Sequence, residues 1–456
     1  MKAREKLYVI GAGPGGEAML TLAAKDAIQR AKKIWNTRET PLAELVAALN
    51  DGDIVQTAVL VSGDSGFYSG AAWIAERCPA GYEVELIPGV SSVQYLSAKI
   101  KAPYDGAALV SLHGREGYIV AKAAYNKRLF VLAGGANNAQ RICHTLSSRG
   151  LGNVRVTVGE RLSFPEERIV SGSADELQAL SFDGLSVLYI ENPNAADPHM
   201  PLRDADFTRG GVPMTKEEVR WIALQKLGVS PRDVVFDVGA GTGAVSVELA
   251  RKAHDGFVYA IESKEEACAL VLENATRHGA FNLEIVHGEA PEAFAGLPVP
   301  DKAFIGGSSG NMEGILERLL SLNAGIRVVA TAVTLQTINR MVTAYERFGM
   351  QDMDVICVNI AKSKKAGRYD MMVAQNPVYV ITGTGGGARR GRSAGAESDA
   401  KGKSDAWAGS AVGAKCDAGV LDDAGEKDGA EAKGATGTGH GFGAAEATTL
   451  GGGDSG

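Results

Sequence analysis

Val234-Val235-Phe236-Asp237-Val238-Gly239-Ala240-Gly241-Thr242-Gly243 is the segment on which the reading of the fold turns. A short run dominated by apolar β-formers predicts a buried strand. Alternating glycines predict a tight turn, and residues 244–251 then read as a helix. Glycines at such a crossover let the backbone turn sharply and approach a ligand, which the first helical amides face. Glu262 ends the next strand nineteen residues after Gly243, where a carboxylate accepts the hydroxyls of a ribose. The third glycine follows the second by two positions, not three, so the loop fits a dinucleotide fingerprint poorly.

Working outward, the second half predicts further strands at 258–261, 283–286, 302–305, 327–331, 353–359 and 379–382. Thr215-Lys216-Glu217-Glu218 reads as a capping box, with Thr215 accepting from the third helical amide and Glu218 reaching back. Val219, Ile222, Ala223 and Leu227 form one apolar stripe, which Gly228 closes. The first half predicts strands at 6–10, 58–61, 84–87, 108–112, 128–132, 155–158 and 185–190, with helical periodicity at 17–33 and 137–149. Strands alternating with helices indicate an α/β protein with largely parallel sheets. Pro193, Pro198, Pro201 and Pro213 break the pattern, so 193–208 is expected to link a domain at 1–192 to one at 209–382.

Composition narrows the function classes. The 456 residues carry 47 Lys and Arg against 54 Asp and Glu, a net charge of −7, which argues against a basic nucleic-acid binder. Residues 383–456 hold 21 Gly and 16 Ala among 74 residues, and this tail is expected to stay disordered. No apolar run approaches the roughly 18 residues that span a bilayer. Residues 1–6 are charged and lead straight into a strand, unlike a signal peptide, so no membrane partner is expected. Cys78, Cys143, Cys268, Cys357 and Cys416 are scattered without metal-ligand spacing, which points to the cytoplasm and to no bound metal.

Asp237, standing before the glycine loop, would repel a pyrophosphate but suits a ligand with positive charge, such as S-adenosylmethionine with its amino group and sulfonium. This arrangement resembles motifs I and II of the class I methyltransferases. The resemblance implies cofactor contacts at Asp237, Gly239, Gly241, Thr242, Gly243 and Glu262. His287-Gly288-Glu289-Ala290-Pro291 follows the third strand, where that fold meets the adenine, which adds Glu289 and Ala290. Gly211-Val212-Pro213-Met214-Thr215-Lys216-Glu217-Glu218-Val219-Arg220 and Phe304-Ile305-Gly306-Gly307-Ser308-Ser309-Gly310 sharpen the match. With the glycine loop they resemble the decarboxylating C-15 methyltransferase domain of corrin biosynthesis, across about 209–382. By that resemblance Thr215 contacts the cofactor, and Gly307, Ser308 and Asn311 line the macrocycle site. Arg115, Arg209, Lys216 and Arg220 are then the motif cations best placed for its carboxylates.

In the first half, Tyr8-Val9-Ile10-Gly11-Ala12-Gly13-Pro14-Gly15-Gly16 satisfies G-x-G-x-x-G after a strand and by itself suggests NAD or FAD. The next strand candidate ends in Asn36-Thr37, with no acid at its tip. Four later segments occur in order: Val61-Ser62-Gly63-Asp64-Ser65-Gly66-Phe67-Tyr68-Ser69, Ile87-Pro88-Gly89-Val90-Ser91-Ser92, Ser111-Leu112-His113-Gly114-Arg115 and Val158-Gly159-Glu160-Arg161. Together they resemble the tetrapyrrole methylase family, class III methyltransferases built from two α/β lobes, across about 6–191. Most relatives have Pro where Ser65 stands. The resemblance implies a cofactor folded between the lobes near Gly11, Gly13, Gly63, Asp64, Tyr68, Ser91 and Ser92, with His113 and Arg115 toward the substrate.

Two unrelated methyltransferase folds in tandem resemble the fused enzymes of corrin synthesis. That resemblance implies two S-adenosylmethionine sites per chain and a small-molecule tetrapyrrole as substrate. It also implies methylation at C-5 by the first domain, methylation at C-15 with loss of the C-12 acetate carboxyl by the second, and assembly into a homo-oligomer. The nucleophile belongs to the substrate, so neither a metal nor a Ser-His-Asp set is needed. A methyltransferase of RNA or protein, a nicotinamide or flavin oxidoreductase built on 11–16, and an assembly protein working through its tail are the competing readings.

Overall fold

Strands buried on both faces lose the polar–apolar alternation and read as short apolar runs. The computed structural model describes residues 4–113 and 119–387 and gathers such runs into three main sheets within one compact unit. The first sheet holds β1 (Glu5–Gly11), β2 (Lys33–Asn36), β3 (Thr57–Val61) and β4 (Tyr82–Ile87), all parallel, in the order β2-β3-β1-β4. Leu7 and Val9 enter one apolar layer, Tyr8 and Ile10 the other, as a side-chain period of two requires. The second sheet holds β5 (Ala108–Ser111), β6 (Arg128–Ala133), β7 (Arg155–Glu160), β8 (Arg168–Ser173) and β9 (Ser186–Glu191). Their order is β5-β6-β9-β7-β8, and only β5 and β6 are parallel. The helix Ser92–Ile100 joins the two lobes, with Val93 and Leu96 packed among Phe130, Val187 and Tyr189.

The third sheet is built from β10 (Val234–Val238), β11 (Phe257–Glu262), β12 (Leu283–His287), β13 (Lys302–Ile305), β14 (Arg327–Ala332), β15 (Gln351–Val358) and β18 (Val378–Thr384). The order β12-β11-β10-β13-β14-β18-β15 is parallel as far as β14 and antiparallel beyond it. The crossovers reverse at β10, and an open α/β sheet takes its ligands in the crevice outside that carboxyl end. Val235 faces the helices Glu217–Leu227 and Ala244–Lys252, while Phe236 and Val238 face Met312–Leu322 and Leu335–Arg347. Phe236 and Phe304 are essentially fully buried, each contributing about 1.5–3 kcal/mol. A separate ribbon pairs β16 (Ala361–Ala366) with β17 (Tyr369–Ala374). Among the described residues no helix is long and apolar enough to cross a membrane.

Several local expectations are corrected. The periodicity over 17–33 resolves into a turn of 3-10 helix at Glu17–Met19, the helix Leu22–Arg30 capped by Thr21, and β2. Three further strands add to those expected from sequence: β8 mixes Arg, Ser and Gly with two apolar residues, β16 is dominated by Lys, and β17 carries its apolar run 371–374 on an exposed ribbon. The capping box does not form. The helix starts at Glu217 with Lys216 as an N-cap that makes no side-chain bond. Glu217 and Glu218 both turn to Lys362, at 2.8 and 2.7 Å. Gly228 does close this helix, at φ +63°. The tail beyond 387 and Arg115 lie outside the described residues.

The joint is tied down along its length. Arg251 donates to the carbonyls of Asp197 and Met200. Arg220, with no exposed surface, bonds Glu248 (2.6 Å), Asp204 (3.3 Å) and the carbonyls of Leu202 (2.9 Å) and Thr215 (2.8 Å), and lies over the Phe207 ring. This overturns its assignment to the substrate, because four of its five N–H groups are engaged inside the domain. The two halves also touch directly: Tyr125 donates to Asn282 at 2.9 Å, and Arg149 pairs with Glu284 at 3.0 Å. Removing one partner of a buried ion pair leaves the other charge uncompensated. Arg220→Ala should therefore lose about 3–5 kcal/mol in urea unfolding, and a loss below 1 kcal/mol would show that Glu248 and Asp204 find other partners.

Candidate functional site

The second-half site is assembled where β10 ends. Gly239, Gly241 and Gly243 all have positive φ. Gly239 (φ +73°) lies so close to the loop after β13 that a Cβ would sit 2.7 Å from the Gly307 nitrogen. Only glycine allows both the conformation and the approach. Gly243 starts the helix Ala244–Lys252 with no side-chain cap, which leaves its first amides available to a ligand. Together these loops wall a cleft of about 780 Å³.

Two carboxylates at the cleft have different surroundings. Asp237 is fully buried; its Oδ2 accepts from the Ser246 hydroxyl, and its Oδ1 has no partner. Burial pushes this carboxyl up to about 7, against the pull of the Ser246 bond and with added repulsion from Glu262. Glu262 is instead held by three backbone amides, Ser263 at 2.9 Å and Lys264 at 3.0 Å on Oε1, and Gly241 at 2.8 Å on Oε2. Oε1 also takes the Ser263 hydroxyl at 3.5 Å, so the acceptor site left for a ligand hydroxyl is on Oε2, which has one donor. The orphaned oxygen of Asp237 and the open helix start fit a ligand that carries an amino group beside a carboxylate, as S-adenosylmethionine does.

The structure brings most of the residues expected from sequence into this cleft. Gly239, Gly241, Thr242, Glu289 and Ala290 line it, as do Thr215, Lys216, Gly307 and Ser308. Gly243 stands behind the lining as the helix N-cap. Asn311 is corrected, because its side-chain oxygen caps the helix Met312–Leu322 by accepting from Gly314 at 3.2 Å. Arg220 is likewise absent from the lining. Sequence reasoning missed Lys264, Gln375 and Asn376, which also face the cleft. Lys264 directly follows Ser263 after the motif acid and could have been found; Gln375 and Asn376 sit in an aperiodic connection before β18 and carry no signal.

The first-half residues gather at the carboxyl edge of β1, β3 and β4. A Cβ on Gly89 would fall 2.3 Å from the Gly11 carbonyl oxygen, so the three loops meet backbone to backbone. Gly13 and Gly63 form an isolated bridge. Asp64 fastens the loops, accepting from Gly66 and Gly89, both at 2.9 Å. The space over Gly63 (φ +70°) is open, with Ser91 Cα the nearest atom at 4.0 Å. That is a cradle suited to a ligand held by backbone groups. Ser91 caps the helix Ser92–Ile100 through its hydroxyl, and Ser92 opens that helix. Tyr68 (φ +48°) donates to the Leu109 carbonyl at 3.2 Å and so spans the lobes. His113 is exposed, with its ring against Gly134. The 11–16 loop runs into a single 3-10 turn rather than the α-helix that follows a dinucleotide loop; Gly16 donates to Ser163 at 2.8 Å, and Arg38 holds the Pro14 carbonyl at 2.9 Å.

Comparison with known proteins bears on both halves. The model of the precorrin methyltransferase domain matches residues 205–384, and that of the tetrapyrrole (corrin/porphyrin) methylases matches 42–178. A precorrin-6Y C(5,15)-methyltransferase [decarboxylating] from Sinorhizobium is 31% identical over 377 residues, covering 81% of this chain and 88% of its own. A probable cobalt-precorrin-6B C(15)-methyltransferase (decarboxylating) from Pyrobaculum calidifontis is 42% identical over 191 residues, 41% of this chain and 96% of its own. Among solved structures, a precorrin-6Y C5,15-methyltransferase from Geobacter metallireducens is 35% identical over 41% of this chain and 97% of its own, with a TM-score of 0.39. The identity extends across both halves in one continuous alignment, and the chain belongs to the family of decarboxylating precorrin-6Y C(5,15)-methyltransferases.

Proposed function

We propose that this enzyme methylates precorrin-6Y, or its cobalt-containing counterpart, at C-5 and C-15 and removes the C-12 acetate carboxyl to give precorrin-8. It would do so with two S-adenosylmethionine sites per chain. The observation that carries the reading is the unpartnered Asp237 oxygen at the foot of the glycine loop, in a chain whose relatives methylate this class of molecule. Bound S-adenosylmethionine supplies an electrophilic methyl group, and a carbon of the reduced tetrapyrrole supplies the electron pair.

The residues have mainly to hold and orient. In the second cleft, Asp237 takes the amino group of the cofactor, Glu262 a ribose hydroxyl, and Glu289 with Ala290 the base. Lys216 and Lys264 face the cleft and meet the negative charge of the macrocycle, which a chain of net charge −7 must counter locally. Gly307 and Ser308 shape the macrocycle wall. In the first domain the cofactor lies along Gly11, Gly13, Gly63, Ser91 and Ser92. Asp64 fastens that cradle, Tyr68 closes it, and His113 is turned to the substrate. No nucleic acid takes part, and free thiols at Cys78, Cys143, Cys268 and Cys357 suit the cytoplasm.

The reading includes a homo-oligomer formed through the β16–β17 ribbon. Tyr369, Met371 and Met372 are 62, 57 and 67% exposed, and a lone two-stranded ribbon is marginal in water without a covering surface.

Three outcomes test these points. Equilibrium dialysis of the full chain against S-adenosylhomocysteine should count two sites, falling to one in Asp237→Ala; one site in the parent, or tight nicotinamide binding, would overturn the first-domain assignment. Below pH 7 Asp237 is protonated and cannot pair with an amino group. Affinity at the second site should therefore rise between pH 6 and 8 and flatten above, with the slope abolished in Asp237→Asn; a slope that survives would place the titration elsewhere. Met372→Asp should convert the oligomer to a monomer in sedimentation velocity, and an unchanged sedimentation coefficient would remove the ribbon from the interface.

A further inference from the structure

Asn274 lies inside the helix Glu265–Arg277 with no exposed surface. Asparagine is a weak helix former because its amide competes for backbone groups, so a buried one needs partners. This amide has three. Its oxygen accepts from the Thr208 amide at 2.8 Å, and its nitrogen donates to the Thr208 carbonyl at 2.9 Å and to the Thr242 carbonyl at 2.8 Å. One side chain thus grips both backbone groups of Thr208, at the end of the interdomain segment, and the backbone of Thr242, in the glycine loop.

From Thr208 the chain crosses the loop as the roof of the cleft, where residues 212–216 line it. The roof is close: the Pro213 carbonyl lies 3.0 Å from where a Cβ on Gly241 would be. Its far end is held through the Thr215 carbonyl by Arg220, which also holds Leu202 and Asp204 of the interdomain segment. Loop, roof and interdomain segment are therefore joined at two buried points.

We propose that Asn274 is a positioning residue that sets the glycine loop against the interdomain segment, so that cofactor affinity in the second cleft depends on residues outside it. The inference rests on reading that cleft as an S-adenosylmethionine site. Loss of two or three hydrogen bonds at a preorganised loop corresponds to roughly a tenfold or greater loss of affinity.

The test uses the full chain at a temperature well below unfolding, with S-adenosylhomocysteine as probe. Asn274→Ala should weaken the site that Asp237→Ala abolishes by roughly tenfold and leave the other site unchanged. A second variant approaches from the other side. Thr208→Pro removes the N–H side of the grip together with the exposed Thr208 hydroxyl bond to Glu273, which Thr208→Val removes alone as the control, and the extended Phe207 before it (φ −105°, ψ 140°) accommodates a following proline. It should weaken the same site, and the double variant should be no worse than Asn274→Ala alone. In the ligand-free protein, hydrogen exchange should quicken at Gly241, Thr242 and Gly243 and stay unchanged along β10. Affinities within twofold of the parent, or exchange that quickens equally along β10, would overturn the proposal. If Asp237→Ala leaves the site count unchanged, the cofactor reading of the cleft fails, and the ligand-free exchange pattern still decides whether Asn274 sets the loop.

Discussion

Everything at both candidate sites follows from how closely two backbones can pass at the carboxyl edge of a parallel sheet. At β10 the loop carrying Gly239 meets the loop carrying Gly307, and at β1 Gly11 meets Gly89, each time at distances that exclude a side chain. Parallel strands point all their carboxyl ends to one edge, and the strand at which the crossovers reverse opens a crevice there. Removing side chains from the crossing points brings main-chain amides to the floor of that crevice, where a ligand can reach them. Two unrelated sheets in one chain use this solution, and each exposes main-chain groups rather than charged side chains at its carboxyl edge.

The acids at these floors diverge in role because their surroundings differ. Asp64 has both oxygens engaged by amides of its own loops, so it acts as a fastener. Asp237 has one oxygen satisfied and one buried without a partner, an arrangement that is costly until a donor arrives. The basic residues divide in the same way. Arg220 and Arg251 are consumed by carbonyls and carboxylates that hold 197–215 against the second domain. Lys264 remains at the cleft, and Lys216 borders it while lying 3.8 Å from Asp204. An interdomain segment rich in proline and aspartate thus becomes an ordered strap rather than a hinge, through side chains donated by the domain it leads into.

The sequence by itself determined the α/β class, the position of most strands and the two glycine loops. These depend on short-range patterns: apolar runs of strand length, glycines at a crossover, an acid at the next strand tip. It also marked 193–213 as free of long helices and inner strands, because prolines interrupt periodicity wherever they fall. Only the tertiary structure decided which polar residues serve a ligand. Arg220, Asn311 and Thr215 stand in one kind of motif context, yet Arg220 turns inward to Glu248, Asn311 caps a helix, and Thr215 lines the cleft. Asn274 carried no signal at all, since its partners lie 66 and 32 residues away. A side chain's hydrogen bonds are chosen by what the fold brings within about 3 Å of it, and that neighbourhood is assembled from distant segments that local sequence patterns do not encode.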